Sequence, residues 1–400
     1  MKKNVKLLEM VAMFSVALAS CTNDELKEVY RGEKISFTTR MTRAAETNTG
    51  NLKEFKVYAD VDGYNMFING EIAKKNGDSY YTDNSHFWPT DIEKMKFWAY
   101  APTDIESAIT SISQVFTDYT PDAEIATQKD FVVAYEEISR DQASGMVVPL
   151  KFHHALSQIE VNALCPSSDK QVYIKGAWIM GVHSKGTLQF SADKKDQNYM
   201  SWTTNTELDA HYGQEITPSL LGKEKASLLA STAGSSNLML VPQEVNGYKF
   251  ATQEQSATPG AYILLLCRVE AWHVGAAHPG TTNDPLIKQD KDKHIHQLFP
   301  YTAKYNDKEY GYTCVSVDVN WKPGTKYVYN LEFCGSRSGA GVYPPITKDD
   351  LETLGLPHEE IDIVTLPDGK KAGDPVLDQP ISFSVTVEDW TESTAGQPMN

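Results

Sequence analysis

His273, His278, His294 and His296 crowd one stretch of the chain, with Asp290 and Asp292 among them. Imidazole nitrogens are ready ligands for zinc-class metals. On an extended strand His294 and His296 would share a face, because side chains two apart point the same way. Lys288, Lys291 and Lys293 are interleaved with them and argue instead for a solvated polar loop, so no metal is assigned. Asp60-Val61-Asp62-Gly63 begins like a calcium loop. It lacks the later acidic positions and the closing Glu of a full ligand set, and a hairpin turn is the reading. His153-His154 reads as core or edge packing. The serine-nucleophile, zinc-protease, P-loop and dinucleotide patterns do not occur where they could act. Paired carboxylates are plentiful in so acidic a chain and single out no glycosidase pair. No catalytic residue and no cofactor is assigned from these patterns.

Cys21 carries a different chemistry. It follows Leu18-Ala19-Ser20 at the end of a short apolar run, residues 10–19, that Lys2, Lys3 and Lys6 precede. Such a run is far below the roughly 18 apolar residues that cross a bilayer. A basic start, an apolar centre and small residues before a cut describe a secretory signal peptide. With Cys placed directly after them, the pattern resembles the lipobox of bacterial lipoproteins, whose thiol takes a diacylglycerol and becomes the mature N-terminus. The resemblance implies a signal peptide over 1–20, a lipidated Cys21, a linker over 21–33 and a tether outside the cytoplasm. Acyl chains at about 0.8 kcal/mol per buried CH₂ make such a tether durable. Thr22-Asn23-Asp24-Glu25 resembles the acidic signal that sends Bacteroidales lipoproteins to the outer face of the outer membrane. Cys165, Cys267, Cys314 and Cys334 would then sit in an oxidising compartment, as buried thiols or as bridges. No CxxC pair occurs, which excludes a zinc ribbon or a thioredoxin-type site.

The elements that must position these residues are strands. The chain has 400 residues, a hydrophobic fraction of 41% and a net charge of −16. That length suggests two or three domains. The negative balance excludes nucleic acid, whose binding rests on Lys and Arg neutralising phosphates, and peripheral docking on anionic lipid. Short β-branched and aromatic runs recur between Gly, Pro, Asn and Asp turns, among them 34–40, 55–59, 96–100, 146–152, 157–163, 261–266, 326–333 and 381–387. Many short strands with regular turn signals predict an all-β sandwich or barrel. Helical turns are expected only over 108–116 and 208–229, with a short helix over 347–354. A polar stretch over 191–236 divides the strands, which places two β-sandwiches at 34–200 and 201–400.

Several segments, in this order, resemble the Bacteroidales fimbrillin family of type V pilus subunits. They are Ile35-Ser36-Phe37, Thr42-Arg43-Ala44, Phe55-Lys56-Val57-Tyr58-Ala59, Phe87-Trp88-Pro89 and Lys96-Phe97-Trp98-Ala99-Tyr100. Then come residues 148–159, Leu238-Met239-Leu240-Val241-Pro242-Gln243, Trp321-Lys322-Pro323-Gly324, and a closing Phe383-Ser384-Val385-Thr386-Val387-Glu388-Asp389-Trp390. The resemblance implies two tandem transthyretin-like Greek-key β-sandwich domains, a structural or adhesive role and no catalysis. It also implies an assembly route. A trypsin-like protease cuts after Arg43, ahead of Ala44, or less favourably after Arg40. The first strand leaves with Ile35 and Phe37, and the C-terminal strand of another subunit fills the groove with Ile381, Phe383, Val385 and Val387. The partners are then other pilus subunits, with host or bacterial surface ligands, and the membrane is met only through the lipid. The location is the cell surface, on the outer membrane or in a fimbrium. A second reading is a surface glycan-binding lipoprotein of a nutrient-uptake system. Trp202, Trp272, Tyr301, Tyr305, Tyr310 and Tyr312 would be its sugar-stacking platform.

Overall fold

The computed structural model describes residues 33–41, 51–61, 64–110, 113–190, 200–229, 238–275, 284–363, 365–377 and 379–389. The chain opens with β1 (Ser36–Met41), β2 (Glu54–Val61), β3 (Tyr64–Asn76), β4 (Ser79–Thr82) and β5 (Lys94–Ala101). Then come β6 (Ala108–Ile109), β7 (Gln114–Tyr119), β8 (Val132–Ser139) and β9 (Val147–His154). After them run β10 (Ser157–Leu164), β11 (Lys170–Val182), β12 (Gly186–Phe190), β13 (Met200–Thr204), β14 (Ala210–Leu220) and β15 (Ala226–Ser227). The third group is β16 (Leu238–Leu240), β17 (Glu244–Val245), β18 (Tyr262–Val274), β19 (Ile287–Asp290) and β20 (Lys293–Phe299). The last is β21 (Tyr310–Ser316), β22 (Val319–Asn320), β23 (Thr325–Glu332), α1 (Lys348–Thr353), β24 (Asp362–Ile363) and β25 (Ser382–Asp389). The protein is all-β apart from this one short α-helix and two 3-10 turns among the described residues.

The first unit is a barrel, closed in the order β1-β4-β3-β2-β5-β8-β9. Alternation along each strand fills its interior: Phe55, Val57 and Ala59 from β2, and Val148, Leu150 and Phe152 from β9, pack with Trp88 and Phe97. The runs Val57-Tyr58-Ala59 of β2 and Phe97-Trp98-Ala99-Tyr100-Ala101 of β5 are buried on both faces, and there the apolar residues are continuous. Tyr58, Trp98 and Tyr100 point out of the barrel and are covered by Phe116, Leu188 and Phe190. These come from a small sheet ordered β13-β12-β7-β6.

The second unit is two facing sheets. β15-β10-β23-β25 is one, with β16 also on β10. The other is β14-β11-β18-β20-β19, with β21 also on β18. Between them lie Ile159 and Val161 of β10, Tyr329 and Leu331 of β23, Ile174 of β11, and Ile263 and Leu265 of β18. The outer face of the larger sheet, with Trp178, Leu264 and Tyr312, is covered by Leu351 and Leu356. Leu351 belongs to α1, the helix expected over 347–354, which Thr347 and Asp350 cap reciprocally.

Three expectations need correction. The cores do not part at residue 200. β10 and β11 pair with β23 and β18, so the sandwich takes in residues from 157 onward. β12 and β13 pair as a hairpin and turn back over the barrel. The polar stretch that suggested a linker holds β13, β14 and β15 among its described residues, because exposed edge strands can be as polar as a linker. The segments 108–116 and 208–229 hold strands β6, β7 and β14 in place of helical turns. The first unit closes as a barrel, not as two separate sheets.

Candidate functional site

β1 occupies a seam of the barrel. It runs parallel to β9, from Ser36 opposite Val147 to Met41 opposite Phe152. Its other edge meets β4 only at Phe37 and Tyr80. The Ile35 N–H donates to the His86 carbonyl at 2.9 Å. Ile35 is 3% exposed and Phe37 is fully buried. The Phe37 ring meets Phe55 and Phe97 edge-on, with centroids 5.9 and 6.0 Å apart. Taking β1 out would uncover these rings and leave the N–H and C=O groups of β9 unpaired on that side, which is costly when they are not refilled. Arg40 lies within β1, opposite Lys151 in the ladder. Arg43, Ala44 and Cys21 lie outside the described residues.

β25 presents the reverse situation. It pairs with β23 along its whole length, from Glu332 opposite Ser382 to Thr325 opposite Asp389. Among the described residues no strand pairs with its other edge. Ile381, just before it, is 4% exposed and belongs to the sandwich core. The Ser382 N–H donates to Ser338 Oγ at 2.8 Å, which pins the start of the strand. Phe383, Val385 and Val387 stand opposite Leu331, Tyr329 and Tyr327, so they share the core side of the sheet. Yet they are 39%, 41% and 61% exposed. An apolar ladder at i, i+2 and i+4 on an open sheet edge is a template for pairing with another chain.

The six aromatic residues of the glycan reading do not form one platform. Trp202 is packed under the barrel wall, its Nε1 donating to the Ala155 carbonyl at 2.8 Å. Tyr312 is 2% exposed. Trp272, Tyr305 and Tyr310 line one surface cleft, but the protein's own cations sit over their rings. Lys293 covers Trp272 at 4.2 Å, Lys288 and Arg268 cover Tyr305 at 5.4 and 4.8 Å, and Lys175 covers Tyr310 at 5.8 Å. Tyr301 stands apart, 65% exposed.

The histidine stretch is a hairpin, β19–β20, and not a loop. His294 and His296 share one face of β20, and β18 brings His273 opposite His294. Sequence spacing put His294 and His296 on one face and grouped His273 with them by proximity alone; its place opposite His294 comes from the ladder. His154 is buried with its Nδ1 2.8 Å from the Asp130 carboxylate. Asp60 and Val61 end β2, and Val61 pairs with Tyr64 across the turn, as a hairpin requires.

A first strand with buried apolar side chains in one unit and an apolar strand at a sheet edge in the other describe an all-β protein of two β units. The chain belongs to the fimbrillin-like family, whose model matches residues 39–263. It is 25% identical over 277 residues to the fimbrium subunit Fim1C of Phocaeicola vulgatus, covering 57% of this chain and 72% of that protein. Its fold is similar to the crystal structure of a fimbrial protein from Bacteroides vulgatus, with a TM-score of 0.52 and 15% identity. That match covers 90% of this chain and all of the other.

Proposed function

We propose that this chain is a surface-exposed subunit of type V pili, made as a lipoprotein lipidated at Cys21 and assembled by protease-triggered strand exchange. Cleavage after Arg43 releases β1 with Ile35 and Phe37. The emptied seam beside β9 then accepts a C-terminal strand from another copy, with Ile381, Phe383, Val385 and Val387 turned into the barrel. The observation that carries this reading is the complementarity of the two strands. Ile35 and Phe37 at the start of the first strand, and Phe383, Val385 and Val387 along β25, are spaced two apart on one face, but Ile35 and Phe37 are buried while the apolar side chains of β25 are left uncovered. Arg40 is a poorer cut site than Arg43, because its backbone is held in the ladder with β9. Cys21 precedes the cut, so a cleaved copy leaves its anchor behind and an uncleaved copy stays on the membrane.

Limited trypsin digestion of the intact chain tests the proposal. The expected product begins at Ala44 and forms ladders that resist dissociation in SDS. A folded product that starts at Ala44 and stays monomeric at high concentration overturns strand exchange.

A further inference from the structure

His273, His294 and His296 come together where β18 runs past the end of the sandwich core and pairs with β20. His273 lies opposite His294, and His296 is opposite Ala271, so all three imidazoles are on one face of the sheet. Their ring centroids are 5.1 Å apart for His273 and His294, 5.4 Å for His273 and His296, and 5.0 Å for His294 and His296. One nitrogen from each ring can be chosen so that all lie within 4.8 Å of one another. Around a tetrahedral zinc with Zn–N of about 2.0–2.1 Å, ligand atoms stand about 3.4 Å apart. Small ring rotations would close the present spacing to that value.

Two further features suit a metal. His294 is 1% exposed, and its Nδ1 lies 3.2 Å from the Gly275 carbonyl. A carbonyl only accepts, so in this bond Nδ1 carries the proton and Nε2 keeps the lone pair. Metal-binding histidines are commonly oriented in this way by a second hydrogen bond. The neighbouring lysines are also kept away. Lys293 and Lys288 stand opposite Val274 and Ile295, residues of the other face. There Lys293 rests on the Trp272 ring, and Lys288 reaches Asp307 at 3.6 Å. Two of the three lysines that made this stretch read as a polar loop are thus on the far side of the sheet, and Lys291 lies in the turn between β19 and β20.

We propose that His273, His294 and His296 form a binding site for a zinc-class divalent cation. Three imidazoles without thiolate or carboxylate select borderline transition metals over calcium or magnesium, which take oxygen ligands. His273 is exposed, so the fourth position faces solvent and takes water. The bound ion would clamp the overhanging end of β18 to β20.

The test uses the full chain, stripped with EDTA and titrated with Zn²⁺ against a chromophoric chelator, then with Co²⁺ in parallel. The wild type is expected to take up one equivalent, to give the visible d–d bands of four-coordinate Co²⁺, and to melt at higher temperature with Zn²⁺ than without. His273→Gln changes an exposed ring and leaves the core intact, and it should weaken Zn²⁺ binding at least tenfold. His296→Asn should do the same, while His294→Ala is informative only where circular dichroism shows it folded. Absence of a Co²⁺ spectrum in the wild type, or equal Zn²⁺ affinity in the wild type and folded His273→Gln and His296→Asn variants, overturns the site.

Discussion

At the scale of single residues, the barrel contains a polar pair where only hydrocarbon would be expected. His154 ends β9, Asp130 lies just before β8, and both side chains are 1% exposed. Removing one member of a buried pair strands the other and costs about 3–5 kcal/mol. Asp130→Ala is therefore expected to lower the urea unfolding free energy by about 3 kcal/mol. The double variant with His154→Ala should lose less than the sum of the two single changes, because the two groups act on each other. A second residue-scale prediction concerns the thiols. Cys165 and Cys334 follow the adjacent parallel strands β10 and β23. The hydrogen bond between them lowers the Cys165 thiol to about 7 and pushes Cys334 up. Burial alone pushes Cys267 and Cys314 up. The thiolate is the attacking species in disulfide chemistry. Diamide, which takes two electrons and two protons from a thiol pair, should therefore join Cys165 to Cys334 and leave Cys267 and Cys314 reduced, as peptide mapping by mass spectrometry would read.

At the scale of elements, β10 and β23 are held together by more than their ladder. Glu160 reaches Lys326 at 2.6 Å across the parallel pair. Burial raises the Glu160 carboxyl, but Lys326 and Asn162 outweigh it and hold it below its ordinary value of 4.5. A carboxylate depressed in the folded state contributes stability above its unfolded pKa, and the contribution is lost as pH falls through the folded value. Unfolding free energy should therefore drop below about pH 4.5, and Glu160→Gln should flatten part of that slope. The pair is a fifth exposed on each side, so the difference at neutral pH should stay under about 1 kcal/mol. The strands themselves were largely legible: Phe55-Lys56-Val57 and Phe383-Ser384-Val385 announce β2 and β25 by alternation. What pairs with them was not. The barrel closes through the parallel β1–β9 contact, between segments more than a hundred residues apart, and no local pattern encodes that register. The same limit hid the place of His273 opposite His294, which the β18–β20 ladder sets. Alternation told which of Ile381, Phe383, Val385 and Val387 share a face, but not that the last three would be left exposed.

At the scale of the whole molecule, the question is what an uncovered apolar edge does when many copies meet. Surface edges in monomeric proteins are normally blunted with charge, proline or bulges. The β25 face that bears Phe383, Val385 and Val387 carries none of these on its apolar positions. Fully burying a Val or Phe side chain is worth about 1.5–3 kcal/mol, and Val387, the most exposed of the three, has the larger part of that still to gain. Replacing Val385 and Val387 with Asp would remove this gain and force two carboxylates into the emptied barrel seam among Phe55, Phe97 and Phe152. In the monomer the same changes fall on exposed positions, where substitutions usually stay within about 0.5 kcal/mol. The double variant should therefore fold with nearly wild-type urea stability, be cut by trypsin at the same rate, and yet fail to form SDS-resistant ladders. Mixing it with cleaved wild-type protein sharpens the outcome. The variant still has an intact groove, so it should accept a wild-type strand and terminate chains at one end, which shortens ladders without abolishing them. Ladders of wild-type length from the variant alone would show that β25 is not the donor.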